Sequence, residues 1–120
     1  MLPLSTAVAS GDLVFLSGVA PLQDGHPVAP DSIEQQTGFM IRRMAEILAD
    51  FDLSLQNMVY VQIYLRSTED YAAVNAVYER MMPAPYPARK VIFTTFAVDG
   101  MDVEINGIAS KAPADFRMMP

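Results

Sequence analysis

Residues 58–65 read Met58-Val59-Tyr60-Val61-Gln62-Ile63-Tyr64-Leu65. Side chains alternate along an extended chain, so Val59, Val61, Ile63 and Leu65 share one face. Met58, Tyr60, Gln62 and Tyr64 share the other. The aliphatic face belongs against helices. The second face carries one amide among large apolar groups, which is unusual for a face turned to water and predicts burial against another subunit. Helical patterns flank this strand. Upstream, Ile33, Thr37, Met40, Ile41, Met44, Ile47, Leu48 and Phe51 recur at three- and four-residue intervals behind a capping-box-like Asp31 and Glu34. They predict an amphipathic helix over 32–51. Gly38 inside it, less favourable there than Ala by about 1 kcal/mol, is expected to let a strand approach closely. Downstream, Ser67 and Asp70 precede Tyr71, Val74, Tyr78 and Met81, which predict a second helix over 68–82, ended by Pro83.

Further out, Leu13–Leu16 is a short apolar run between turn-formers and reads as a buried strand. Residues 22–30 contain Asp24-Gly25, Pro27 and Pro30 and read as a loop around at most a short strand. Val91–Val98 is rich in β-branched and aromatic residues, and Met101–Ala109 alternates. Asp99-Gly100 between them is a hairpin signal pairing Val98 with Met101. In that register Glu104 lies opposite Thr95, and Arg89 is roughly 20 Å away along the strand. The order strand, helix, strand, helix, strand, strand predicts an α+β fold: one mixed β-sheet with two helices packed on one face, in a single domain over 1–120.

Composition narrows the function. Net charge is −6, and the only basic doublets are Arg42-Arg43 and Arg89-Lys90. Nucleic-acid binders draw most of their affinity from cationic contacts to phosphate, so no nucleic-acid partner is expected. The absence of cysteine removes disulfides, thiolate metal sites and cysteine nucleophiles. One histidine, His26, leaves little with which to bind zinc, so no metal is expected. No basic residue precedes Arg42, and no apolar run approaches the ~20 residues that span a bilayer. The expectation is a cytoplasmic protein without a membrane partner.

Four places hold polar residues in unusual settings. Arg89 follows a proline-rich run that fixes the backbone, as bidentate recognition of a carboxylate requires; a solvated strand-end arginine is the commoner explanation. Glu104 lies between Val103 and Ile105 and so faces away from the core, where a solvated acidic face is the commoner case. Asn75 lies on the apolar stripe of the second helix, either as a core amide bonded to a loop or as a site residue. Ser17-Gly18 alone is an ordinary strand-end turn.

Taken together these segments resemble the reactive-intermediate deaminase (Rid, or YjgF-like) superfamily, also described as the endoribonuclease L-PSP family. The resemblance rests on Ser17-Gly18-Val19-Ala20-Pro21, Gln36-Thr37, Val74-Asn75-Ala76-Val77-Tyr78, Tyr86-Pro87-Ala88-Arg89 and Val103-Glu104-Ile105-Asn106-Gly107-Ile108-Ala109. It runs from Leu4 to Ala109. It implies a chorismate-mutase-like fold and a homotrimer with a cleft at each subunit interface. It also implies hydrolysis of 2-imino acids, formed from enamines such as 2-aminoacrylate, to 2-oxo acids and ammonia, without metal or cofactor. Arg89 would hold the substrate carboxylate, assisted by backbone amides near Gly18 and Val91. Glu104 would position or deprotonate the attacking water. Ser17 and Asn75 would line the cleft or brace its loops. The chain departs from the deaminase pattern at Leu4, where a tyrosine is usual, at Val19, where glutamine is frequent, and at Arg43, where asparagine is common. The alternative is a trimer of the same fold that binds small carboxylates without turnover. Ribonuclease activity, ascribed to some relatives, fits poorly with the charge.

Overall fold

The computed structural model describes residues 2–119. Seven strands and two helices follow in the order β1 (Ala7–Ser10), β2 (Leu13–Val19), β3 (Leu22–Gln23), β4 (His26–Pro27), α1 (Ile33–Ala49), β5 (Met58–Leu65), α2 (Tyr71–Met81), β6 (Ala88–Phe93) and β7 (Val103–Ser110). The main sheet runs β1-β2-β7-β5-β6; β3 and β4 form a separate small hairpin. Both helices pack on one face of the mixed sheet, the α+β arrangement expected. No helix among the described residues is long and apolar enough to cross a membrane. Met1 and Pro120 lie outside the described residues.

The core forms where the two periodicities meet. Val61, Ile63 and Leu65 of β5 and Val103 and Ile105 of β7 point at Met40, Ile41, Met44 and Leu48 of α1 and Val74 and Val77 of α2; all are buried. Each such side chain contributes about 1.5–3 kcal/mol by leaving water. Ser32 caps α1, its hydroxyl accepting from the Gln35 N–H at 3.2 Å, so the cap falls one residue after the expected Asp31. Ser67 opens a 3₁₀ turn over Thr68–Asp70 that leads into α2.

Four expectations need correction. The first concerns the hairpin. β6 pairs with β5 in parallel, whereas β7 pairs with β5 and β2 in antiparallel fashion, so β6 and β7 never touch as partners. The strand expected over 91–98 is Ala88–Phe93; Asp99-Gly100 does form a turn, the Met101 N–H donating to the Val98 carbonyl at 3.4 Å, but no ladder follows from it. That connection crosses the end of β5: the Thr94 N–H donates to the Leu65 carbonyl and the Arg66 N–H to the Asp102 carbonyl. The Arg66 guanidinium holds Asp102 at 3.2 Å and the Met101 carbonyl at 3.0 Å, and lies over the Phe96 ring. Gln36, fully buried, clamps the same segment, donating to the Gly100 carbonyl at 2.7 Å and accepting from the Asp102 N–H at 3.1 Å. These side chains tie the segment to α1 and to the end of β5, so the turn does not extend into a two-stranded hairpin.

Second, Met58 is in the core rather than on the far face. Met58 pairs with Ala109 and Tyr60 with Ile108, so Val59 is an extra residue that reverses the alternation behind it. The far face therefore consists of Tyr60, Gln62 and Tyr64. Gly107 makes this approach possible, because a methyl group there would lie 2.3 Å from the Tyr60 carbonyl oxygen. Third, β1 adds an edge strand beyond those expected, joined to β2 through Gly11-Asp12, with Gly11 at φ +60°. Fourth, Gly38 faces no strand: a methyl group there would meet Arg42 Nη1 at 3.2 Å and the Met81 sulfur of α2 at 3.7 Å.

Candidate active site

The register places the two charged candidates. Arg89 pairs with Val61, and paired residues of a parallel ladder share a face, so Arg89 lies on the helix side of the sheet. Its guanidinium carbon sits 5.0 Å from the centre of the Tyr78 ring, a stacking contact from α2. Among the described residues Arg89 has no carboxylate partner. Asn75, Tyr78, Tyr86, Pro87 and Arg89 line one hollow, and Arg89, Val91, Tyr71 and Phe93 line a second beside it. Arg89 therefore stands between two aromatic walls. Asn75, half-buried, bonds no loop among the described residues, so its amide is available to the hollow. The Tyr78 hydroxyl is buried without a hydrogen-bond partner, and desolvation pushes its pKa up to about 12, against a lowering by Arg89.

Glu104 pairs with Tyr64, and its neighbours Val103 and Ile105 face the core, so it lies on the face turned away from the helices. Two residues of β2, Ser17 and Gly18, bulge opposite Asn106. Glu104 fills the space this leaves: a methyl group at Gly18 would lie 2.9 Å from Glu104 Oε1. Burial raises the Glu104 pKa above the usual carboxylate range. The Ser17 hydroxyl donates to the Ser5 carbonyl at 2.5 Å, bracing the segment before β1. Leu4, Thr6, Ser17, Gly18, Val19 and Arg43 line the shallow depression at this end.

The candidates thus fall into two half-sites. Arg89, Asn75 and Val91 gather on the helix side at the β6 edge. Glu104, Gly18 and Ser17 gather on the opposite face. Sequence reading singled out Arg89 and Asn75 but not the Tyr71, Tyr78, Tyr86 and Phe93 rings around them. The signal for Tyr78 was present, since it follows Asn75 by three residues on the helical stripe.

The Endoribonuclease L-PSP family model matches residues 1–111. This chain belongs to that family, the Rid or YjgF-like superfamily. Among its relatives is the mitochondrial protein mmf2 of Schizosaccharomyces pombe, 39% identical over 112 residues that cover 91% of this chain and 88% of mmf2. The chloroplastic Reactive Intermediate Deaminase A of Arabidopsis thaliana is 34% identical over 110 residues, 90% of this chain and 58% of that protein. A solved structure of a YjgF-family member from Neisseria meningitidis superposes with a TM-score of 0.83 at 29% identity, covering 95% of this chain and 92% of its own. The family includes deaminases by name, and the mixed sheet with two helices on one face is the YjgF fold.

Proposed function

We propose that this single-domain chain assembles as a homotrimer in which Arg89 of one subunit and Glu104 of its neighbour complete one cleft that hydrolyses 2-imino acids. The observation that carries this is the placement of Arg89 and Glu104 on opposite faces of one sheet. One chain cannot bring both to one small molecule, whereas two copies packed edge to face can. The Tyr60/Gln62/Tyr64 face supplies the surface for such packing, and the side-chain amide oxygen Oδ1 of Asn106 on the same face is buried without a partner among the described residues.

In the reaction the Arg89 fork holds the substrate carboxylate, with backbone N–H groups near Gly18 and Val91 assisting and Asn75 lining the cleft. A water oxygen attacks the imine carbon and the C=N electron pair moves to nitrogen. Glu104 takes the water proton and returns it to the amine. The hydroxyl proton then passes through Glu104 to the nitrogen as the C–N bond breaks and the C=O bond forms, and ammonia leaves with a 2-oxo acid. An iminium carbon is electrophilic already, so a placed water and one base suffice. The chemistry requires no metal or cofactor. The name of the Arabidopsis relative supports this reading. A cytoplasmic location belongs to the same proposal. The second reading, carboxylate binding without turnover, is favoured by Leu4 and Val19, which stand where the deaminase pattern has tyrosine and glutamine.

Ammonia release from 2-aminoacrylate generated in solution separates the two. The wild type should accelerate it and Arg89→Ala should not; binding of pyruvate by the wild type without acceleration selects the second reading. Arg89→Lys should also lose most of the activity, because an ammonium cannot reproduce the planar fork.

A further inference from the structure

The chain carries a second cationic hollow, far in function from Arg89. It lies on the outer side of the helices, between α1, α2 and the segment leading into α1, and encloses about 460 Å³. Arg42 and Arg80 line it with Gly38, Phe39, Ala29 and Glu34. Three features of this hollow are individually unfavourable. Gly38 sits in the middle of α1, where it is worse than Ala by about 1 kcal/mol. Ala29 has φ +42°, a left-handed conformation that non-glycine residues adopt at a cost of about 1–3 kcal/mol. Two exposed arginines, Arg42 and Arg80, line the one hollow, with no salt bridge to either among the described residues, in a chain of net charge −6. The one acid on the wall, Glu34, approaches the Ser32 hydroxyl at 3.4 Å.

Gly38 explains part of the arrangement. Arg42, one turn later, lies back over it toward Met81 of α2, so that a methyl group at 38 would crowd Nη1 at 3.2 Å. The neighbour of Met81 in α2 is Arg80. Arg42 thus lies back along α1 toward α2, and Arg80 lines the same hollow from α2. Like charges so placed repel unless an anion lies between them.

We propose that this hollow is a phosphate-binding site, distinct from the Arg89 cleft. A carboxylate is satisfied by one arginine fork, as at Arg89, whereas two forks from two helices suit a tetrahedral dianion with more oxygens. Phe39 gives the hollow an apolar wall that fits the body of a phosphate monoester. Free phosphate and a monoester share the recognised group.

Isothermal titration of the full chain at low ionic strength tests this, with inorganic phosphate, phenyl phosphate and succinate as probes. One phosphate per chain should bind, with Arg42→Gln and Arg80→Gln each weakening it about tenfold or more. Both substitutions keep helix-forming side chains at exposed positions. Gly38→Ala should weaken binding severalfold while raising resistance to urea. Arg89→Ala should leave phosphate affinity unchanged, which separates this site from the cleft. Tighter binding of phenyl phosphate than of phosphate identifies a monoester as the ligand, and equal binding identifies the free ion. No saturation by about 10 mM phosphate, wild-type affinity in both arginine variants, or succinate binding more tightly than either phosphate overturns the proposal.

Discussion

Arg89 and Glu104 flank the same strand from opposite sides: Arg89 pairs with Val61 and Glu104 with Tyr64, three positions further along β5. Their Cα atoms are thus about 10 Å apart along the strand and about 10 Å apart across it, with side chains on opposite faces. If the cleft takes one group from each of two subunits, two inactive variants should complement. Arg89→Ala and Glu104→Gln, mixed and allowed to exchange subunits, should recover roughly a quarter of wild-type activity, the share of randomly formed interfaces that regain both groups. No recovery despite exchange shown by mass spectrometry of differently labelled chains would refute a shared cleft.

Assembly itself is a separate expectation. The Tyr60/Gln62/Tyr64 face and the Asn106 oxygen call for a covering partner. Light scattering at micromolar concentration should give three chain masses, and a monomer there would contradict the assembly.

How much of this was legible beforehand differed between elements. The two helices and the β5 alternation follow local periodicity, and they emerged with errors of one to three residues, the largest where the 3₁₀ turn over Thr68–Asp70 precedes α2. The connection between β6 and β7 did not, because Asp99-Gly100 has the local chemistry of a hairpin. What decides against one is long-range: Gln36 and Arg66 bind Gly100, Met101 and Asp102 from other elements. The bulge at Val59 was hidden for a similar reason, since its only sign was Gly107 nearly fifty residues away. Of the site, Arg89 was marked by the prolines before it and Glu104 by its place between Val103 and Ile105, but a solvated side chain was the commoner explanation for each, and the family resemblance assigned their roles. Their separation onto two faces depends on strand order, which no local pattern carries.

Gly107 offers a test of that bulge. A side chain there would meet the Tyr60 carbonyl oxygen and the Met58 methyl, at 2.3 and 2.6 Å, in a pair of strands with no room to part. Gly107→Ala should destabilise the chain by about 3 kcal/mol or more in urea unfolding, an overpacking cost at the upper end of the usual range. A loss below about 1 kcal/mol would mean that β5 and β7 do not approach as described.

The buried Glu104 carboxyl gives a pH prediction with a definite sign. Desolvation raises its folded pKa above the ordinary glutamate value of 4.5. The charged form is therefore disfavoured by folding, and the stability linked to this group is present at low pH and lost as pH rises through the raised pKa. Glu104→Gln should consequently be at least as stable as the wild type at pH 7, while its activity is gone. The acid limb of the wild-type pH–rate profile should fall above pH 4.5, because the base must be ionised to accept the water proton. A Glu104→Gln protein with a lower melting temperature than wild type at pH 7 would instead make this carboxylate a structural anchor.

Tyr78 supplies the last prediction, since its ring and its hydroxyl do different things. The ring lies 5.0 Å from the Arg89 guanidinium carbon and is 5% exposed. The hydroxyl has no partner among the described residues. Leaving such a group unpaired in the interior costs about 1–3 kcal/mol, so Tyr78→Phe should be neutral or stabilising in urea. The ring survives that change, so pyruvate affinity should hold. Tyr78→Leu keeps an apolar filler but removes the π face beneath Arg89. It should weaken pyruvate binding several-fold, about 0.5–1 kcal/mol or more for a partly desolvated cation–π contact. Alkaline behaviour should separate the variants too. With the folded pKa at about 12 and the ordinary tyrosine value at 10.0, stability linked to Tyr78 is full below pH 10 and is lost as pH rises towards 12. That decline should shrink in Tyr78→Phe. If Tyr78→Phe loses pyruvate affinity as severely as Tyr78→Leu, the hydroxyl rather than the ring is what the site uses, and a donor or acceptor from the ligand or the neighbouring subunit must reach it.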